Sequence, residues 1–408
     1  MKKLFLQFSI LFILIGCDQK NENQSVLLIS FDGFRADYLD LYHTPNFDRF
    51  LKTGVRSKGL IPVFVPKTFP NHYSIATGMY AENHGLIGNH FYDEKLDDTY
   101  TLSDRSKVED PKFYGGEPIW VTAEKQGVTS ASFFWVGSEA PIGGVYPSRW
   151  KRYEHNFPFE ARIDSVVKWF SLPKPERPQL CLLYFHEPDW TGHNTGPRSV
   201  ETGGIVTHLD SLFGDLVHKL SESPVGEDLN IIAVADHGMV EISSERTVSL
   251  AAITNMDTIT QEGDGPYALL YSHDKDAIEK AAKEIHAAAH VNAYLREDIP
   301  ERFHFKNHHR IKDALVLAEE GWYIENQAIG SSSEAGVYIP IGGTHGYDNQ
   351  LESMHALFIA SGPAFKKGFV SEPFENVNIY PMITHILGLK PSLNIDGDLK
   401  HIQHLLAP

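Results

Sequence analysis

The sequence predicts an α/β fold: a doubly wound, largely parallel central sheet with helices on both faces, plus a small α+β insertion. Three observations carry that prediction. Short apolar runs recur without alternation, which suits strands covered on both faces. Helix-length segments lie between them, the βα alternation of a parallel sheet. From about residue 241 to 340 the texture changes, and the chain then returns to the first pattern.

The ends come first. "MKKLFLQFSILFILIGCDQK" opens with Lys2 and Lys3, followed by a mostly apolar run from Leu4 to Ile15. A membrane span needs about 20 residues, so the run reads as a signal-peptide core. It ends in Leu14-Ile15-Gly16-Cys17, which resembles a bacterial lipoprotein box. Residues 1–16 are therefore expected to be removed, with lipid on Cys17 anchoring the chain to a membrane of the cell envelope, on the periplasmic or surface side. Residues 17–25, polar and poor in apolar side chains, read as a tether.

The strand runs are "VLLISF" (26–31), "SASFFWV" (130–136), "CLLYF" (181–185), "IIAVAD" (231–236) and "ALFIAS" (356–361). Helical segments are expected over 117–126, 159–170 and 204–220. Residues 26–240 and 341–408 would form the main domain. Within the insertion, 241–340, strands are expected near 266–272 and 313–324, and a helix over 274–290 with Lys and Glu on a solvated face. The "FHFKNHHR" stretch (303–310) reads as a surface loop rather than a metal patch.

Charge and cysteine content limit the function. Lys plus Arg total 36 against 53 Asp plus Glu, a formal net charge of −17. Duplex nucleic acid, whose binding rests on neutralising phosphates, is a poor partner for such a chain. A small anion would need local positive charge, which metal ions supply. Of the two Cys, lipidation of Cys17 leaves Cys181 without a disulfide partner. Its place in "LCLLYF" suits a small core residue.

The chemistry-bearing residues fall at strand ends, where sheets of this kind bind ligands. Asp32 follows "VLLISF", Asp189 follows "LCLLYFHEP", and Asp236 and His237 follow "IIAVA". His193 lies four residues beyond Asp189, and His345 sits among glycines in "GGTHGYDN". Singly, each is an ordinary turn or surface residue; together, three Asp and three His make a nitrogen and oxygen set suited to two zinc ions. In "VPKTFPNHYSIATGMY" (65–80), Thr68 stands at the start of a helix, either as its N-cap or as a nucleophile.

These motifs, with "SFDGFRADYL", "GLIGNHFYD", "GGEPIWVTAEKQG", "FFWVGSE" and "ADHGM", resemble the nucleotide pyrophosphatase/phosphodiesterase family of the alkaline phosphatase superfamily. The likeness runs through most of the mature chain. It implies an alkaline phosphatase-like fold and one zinc held by Asp32, Asp236, His237 and the Thr68 hydroxyl. It implies a second zinc held by Asp189, His193 and His345, with Thr68 as nucleophile and Asn89 donating to a phosphoryl oxygen. It also implies that Phe69, Tyr153 and Tyr184 surround a nucleobase. By themselves those three aromatics read equally well as core packing, and Trp135 reads as structural.

The immediate motifs contain no Arg to clamp two free phosphate oxygens, and "KTFPN" lacks the sulfatase pattern. Both absences favour a phosphodiester or diphosphate substrate; the resemblance implies zinc-dependent hydrolysis of nucleotide phosphodiester or pyrophosphate bonds through phospho-threonine, releasing a nucleoside 5′-monophosphate. Alternatives are a phosphodiesterase on lipid or choline headgroups, a phosphonoacetate-type hydrolase, and a lipoprotein that binds nucleotide or metal without turnover. No obligate protein partner is expected.

Overall fold

The strand Ser25–Phe31, buried at every position, lies inside an eight-stranded sheet. In this computed structural model residues 24–325 and 341–408 are described. The leader, Cys17 and the last part of the insertion lie outside them. Ser25 is already in the strand, so the tether ends earlier than its sequence boundary.

In spatial order the strands are Phe369–Ser371, Gly54–Ser57, Phe358–Ser361, Leu229–Val234, Ser25–Phe31, Leu180–Phe185, Ser130–Phe133 and Arg149–Trp150. Ile29 lies opposite Leu183 on one side and Ala233 on the other, both in parallel register. Phe358–Ser361 pairs antiparallel with both of its neighbours. An apolar run reads the same in either direction, so this reversal left no mark in the sequence. Three strands of two to four residues, Gly54–Ser57, Arg149–Trp150 and Phe369–Ser371, were not anticipated. They are too short to show a period.

Neighbouring side chains on a strand point to opposite faces, and Ser30 and Phe31 show what covers each. Phe31 meets Phe47 and Phe213, from the helices Pro45–Leu51 and Val200–Ser221, at 5.9 and 6.3 Å between ring centroids. The Ser30 hydroxyl lies 2.7 Å from His72 Nε2, in the helix Thr68–Thr77 on the other face. That helix packs with Ile119–Lys125 and Ile379–Ile386. Among the described residues, no helix is long and apolar enough to cross a membrane.

The insertion is a four-stranded antiparallel sheet, ordered Thr260–Glu262, Tyr267–Tyr271, Ala314–Ala318 and Val291–Leu295. Alternation divides its faces. Ala268, Leu270, Ala314 and Val316 pack with Ile278, Ala281 and Ile285 of the helix Lys275–His286. Leu269, Leu315 and Leu317 join the main core. Its ends are tied together where Val240–Ile242 pairs antiparallel with Gly342–Thr344.

The expectation of a surface loop over 303–310 is corrected: the stretch is the seam between insertion and main domain. Phe303 and Phe305 are buried, and Arg310 is 5% exposed. Arg310 Nε donates to Asp93 Oδ2 at 2.6 Å, and its Nη1 donates to the carbonyls of Gly85 and Phe113. Glu82 accepts from the backbone N–H groups of Lys306 and Asn307.

Candidate active site

The sheet delivers its acidic residues to one edge because its middle strands run parallel. Asp32 follows the strand ending at Phe31, and Asp236 stands two residues beyond Val234. Asp189 opens the helix Asp189–Thr195, and its N–H donates to the Asp32 carbonyl at 3.0 Å. Gly33, between them, has φ +66°, and a Cβ there would lie 2.8 Å from Asp189 Cβ. Glycine permits both the left-handed turn and this approach. On the other side, a Cβ on Gly343 would lie 2.7 Å from the Gly192 carbonyl. That close contact seats the His345 segment against the helix carrying His193.

Two clusters result. The side-chain donor atoms of Asp32, Asp236 and His237 lie within 4.8 Å of one another, as do those of Asp189, His193 and His345. Asp32, Asp236 and His237 are almost wholly buried. The second cluster is more open, with the His193 side chain 37% exposed and that of Asp189 17%. The clusters adjoin: the His237 and His345 rings stack with centroids 3.4 Å apart.

Hydrogen bonding tests whether metals fit. Each imidazole has its Nδ1 against a backbone carbonyl: His193 on Gly343 at 2.8 Å, His237 on Gly238 at 2.9 Å, His345 on Pro66 at 2.7 Å. A carbonyl only accepts, so Nδ1 carries the proton and the Nε2 lone pair faces the cluster, the usual arrangement of metal-binding His. Facing those lone pairs are three buried carboxylate oxygens without a hydrogen-bond donor: Asp32 Oδ1, Asp189 Oδ1 and Asp236 Oδ2. His237 Nε2 lies 3.0 Å from Asp236 Oδ2 and 3.6 Å from Asp32 Oδ1; His193 Nε2 lies 3.4 Å from Asp189 Oδ1. Buried, unpaired acceptors converging on lone pairs are costly unless a cation joins them. Residues and geometry fit one divalent ion per cluster.

The opposite carboxylate oxygens are held by the chain. Tyr184 donates to Asp32 Oδ2 at 2.6 Å, and the Gly33 N–H donates to Asp236 Oδ1 at 3.1 Å. Without a cation, burial and then the charges of Asp236 and Asp189 push the Asp32 carboxyl well above its usual range. Burial acts in the same sense on Asp236, but His237 and His72 outweigh it and hold that group low.

Thr68 is the first residue of its helix and not its cap; Lys67 holds the cap position, and Gly78 ends the helix at φ 68°. The Thr68 hydroxyl is thus free of a capping bond and lies 3.4 Å from His237 Nε2. Asn89 accepts from the Phe69 N–H at 3.0 Å, which directs its NH2 group elsewhere.

A cavity of about 520 Å3 runs from the clusters. Its lining includes Thr68, Asn89, Asp189, His193 and His345, together with Phe69, Tyr153 and Tyr184. Phe69 meets Tyr100 edge-on at 6.1 Å, and Tyr153 meets Phe134 at 5.1 Å. Tyr184 therefore serves two surfaces, its ring on the cavity and its hydroxyl on Asp32. Trp135 is 3% exposed and donates to the His72 carbonyl at 3.0 Å. Arg105 lines the cavity but is paired with the buried carboxylate of Glu139.

His72 escaped the sequence reading. Fully buried, it touches the Thr68 carbonyl (2.9 Å), Ser30 and Asp236. Its position one helical turn beyond Thr68 was the available signal.

Residues 26–348 match the sequence profile described as "Type I phosphodiesterase / nucleotide pyrophosphatase". The chain is 38% identical over 401 residues to a venom phosphodiesterase of Naja atra, covering 96% of this chain and 47% of that protein. It thus spans about half the length of the venom enzymes it matches. With human ectonucleotide pyrophosphatase/phosphodiesterase family member 5 it shares 35% identity, covering 94% of this chain and 78% of the relative. The structure of murine ectonucleotide pyrophosphatase/phosphodiesterase 5 superposes with a TM-score of 0.87 at 33% identity, covering 94% of this chain and all of that one. A second murine structure, an inactive threonine-to-alanine form in complex with AMP, superposes at 0.86 with 33% identity and the same coverage.

Proposed function

Because the chain belongs to the type I phosphodiesterase/nucleotide pyrophosphatase family, we propose that it hydrolyses nucleotide phosphodiester or pyrophosphate bonds and releases a nucleoside 5′-monophosphate. The observation that carries this reading is the set of three unpaired carboxylate oxygens facing imidazole lone pairs beside the Thr68 hydroxyl. Asp32, Asp236 and His237, with Thr68, would hold one zinc ion; Asp189, His193 and His345 would hold the other. When bound, the ions supply the positive charge that favours a deprotonated Thr68 hydroxyl and offsets charge on the phosphoryl and leaving oxygens.

The chain's own part follows from its geometry. Thr68 Oγ1, having lost its proton, attacks phosphorus, and the bond to the leaving oxygen breaks on the opposite side. The leaving group departs and takes up a proton, and Thr68 is left esterified to the phosphoryl group that still carries the nucleoside. A water then attacks the same phosphorus from the side the leaving group vacated, freeing Thr68 and the monophosphate. The Asn89 NH2 group, oriented by the bond from the Phe69 N–H to its Oδ1, offers a preorganised donor to an equatorial oxygen. Phe69 and Tyr153 supply aromatic faces for a base, which stack with little preference for its identity. The AMP in the relative's complex fits this reading.

The test is hydrolysis of the p-nitrophenyl ester of thymidine monophosphate beside p-nitrophenyl phosphate, with and without chelator. Chelator-sensitive cleavage of the diester is expected, abolished by Thr68→Ala with zinc content near two per chain. Preference for the monoester, or turnover by Thr68→Ala, overturns the reading. We place the enzyme in the cell envelope, tethered by lipid on Cys17. Metabolic labelling with palmitate should vanish in Cys17→Ser, and label that persists refutes the anchor.

A further inference from the structure

Beyond Tyr153 the cavity has a second aromatic wall that the nucleotide reading does not use. His155 and His186 stack with centroids 4.0 Å apart and planes 25° from parallel. Trp190 meets His155 edge-on at 5.3 Å and is 57% exposed, with all three residues on the cavity. Burial, then His155, pushes His186 down to about 3, and burial also lowers His155, so both rings are neutral at physiological pH. His155 is fixed through the Tyr153 hydroxyl at 3.0 Å, while His186 Nδ1 is buried with no protein partner. An indole left open to water beside neutral stacked rings is an unfilled apolar surface.

Its position gives that surface a role. Trp190 follows Asp189 directly and shares a helix with His193. Thr68 stands at the other cluster, 3.4 Å from His237 Nε2. In an in-line displacement the leaving oxygen departs opposite the nucleophile, toward Asp189, His193 and His345 and hence toward Trp190.

We infer that Trp190, His155 and His186 form a second aromatic subsite, which stacks a planar ring carried by the departing half of the substrate. The inference rests on Thr68 being the nucleophile, as proposed above. The enzyme then distinguishes leaving groups that end in an aromatic base from those that end in bare phosphate.

The test uses the metal-loaded Thr68→Ala chain, which holds ligands without turnover, and calorimetric titration with diadenosine triphosphate and with AMP. Stacking of one base is expected to make Trp190→Ala weaken diadenosine triphosphate about tenfold, AMP changing less than about twofold, and Trp190→Phe to keep most of the affinity. Equal weakening of both ligands would make Trp190 a brace for Asp189 and overturn the subsite, as would no change in either. Failure of the parent chain to bind AMP would instead overturn the nucleotide reading, and the subsite with it.

Discussion

Tyr184 offers the sharpest test, because its ring and its hydroxyl have separable roles. Tyr184→Phe keeps the ring on the cavity and removes only the 2.6 Å bond to Asp32 Oδ2. That bond is partly buried and its acceptor is an ionised carboxylate proposed above to hold a metal, the class of bond worth about 1.5–3 kcal/mol. At about 1.4 kcal/mol per decade, metal affinity of the Asp32 cluster should fall roughly 10- to 100-fold, the range typical of partners that orient metal ligands. Burial already works against an ionised Asp32, and the Tyr184 bond opposes that effect, so its loss compounds the damage. The assay is competition with a chromophoric chelator, beside kcat and KM for a diester. Weakened metal with a nearly unchanged KM at saturating zinc is expected. If Tyr184→Phe keeps full metal affinity while Tyr184→Ala raises KM, the ring alone matters and the reasoning from Asp32 is refuted.

Other consequences follow from single contacts. Arg310→Met removes the guanidinium from Asp93, which keeps His309 and the Lys95 and Leu96 N–H groups, and should cost about 1.5–3 kcal/mol in denaturant unfolding; a loss below about 0.5 kcal/mol would remove Arg310 from the seam. His84 is buried with Nδ1 accepting from the Leu86 N–H, and burial lowers its pKa to about 3. A folded value below the unfolded 6.5 means that the stabilisation is complete above 6.5 and drains away as the pH falls toward 3. In His84→Gln the slope of stability between pH 6 and 4 should therefore flatten by about 1.4 kcal/mol per pH unit, and an unchanged slope would refute it. Gly33→Ala forces a side chain into left-handed backbone and against Asp189, so a stability loss of about 1–2 kcal/mol with faster release of one metal is expected; retention of both metals at parental affinity would show that the turn yields.

The central strands and main helices were legible because a doubly covered sheet marks its strands with unbroken apolar runs. The helix over 159–170 begins and ends where its pattern does. The residues around the two clusters were visible as motifs at strand ends, but their burial and hydrogen bonding were not. The partners of the three imidazoles are backbone carbonyls of Pro66, Gly238 and Gly343, and a carbonyl has no signature in sequence. Nor could Tyr184, in an apolar strand, show that its hydroxyl reaches Asp32. In 303–310, polar residues hid a buried seam, because charge pairing satisfied Arg310 and Asp93 out of water.

By itself the sequence determined the central strands and the main helices and which residue types can bind metal or attack phosphorus, since periodicity and donor chemistry are local properties. The direction of Phe358–Ser361, the burial of one residue cluster and the openness of the other, and the wall of Trp190, His155 and His186 were decided only by tertiary structure. These depend on distances between residues far apart in the chain, and such distances exist only once the sheet has packed.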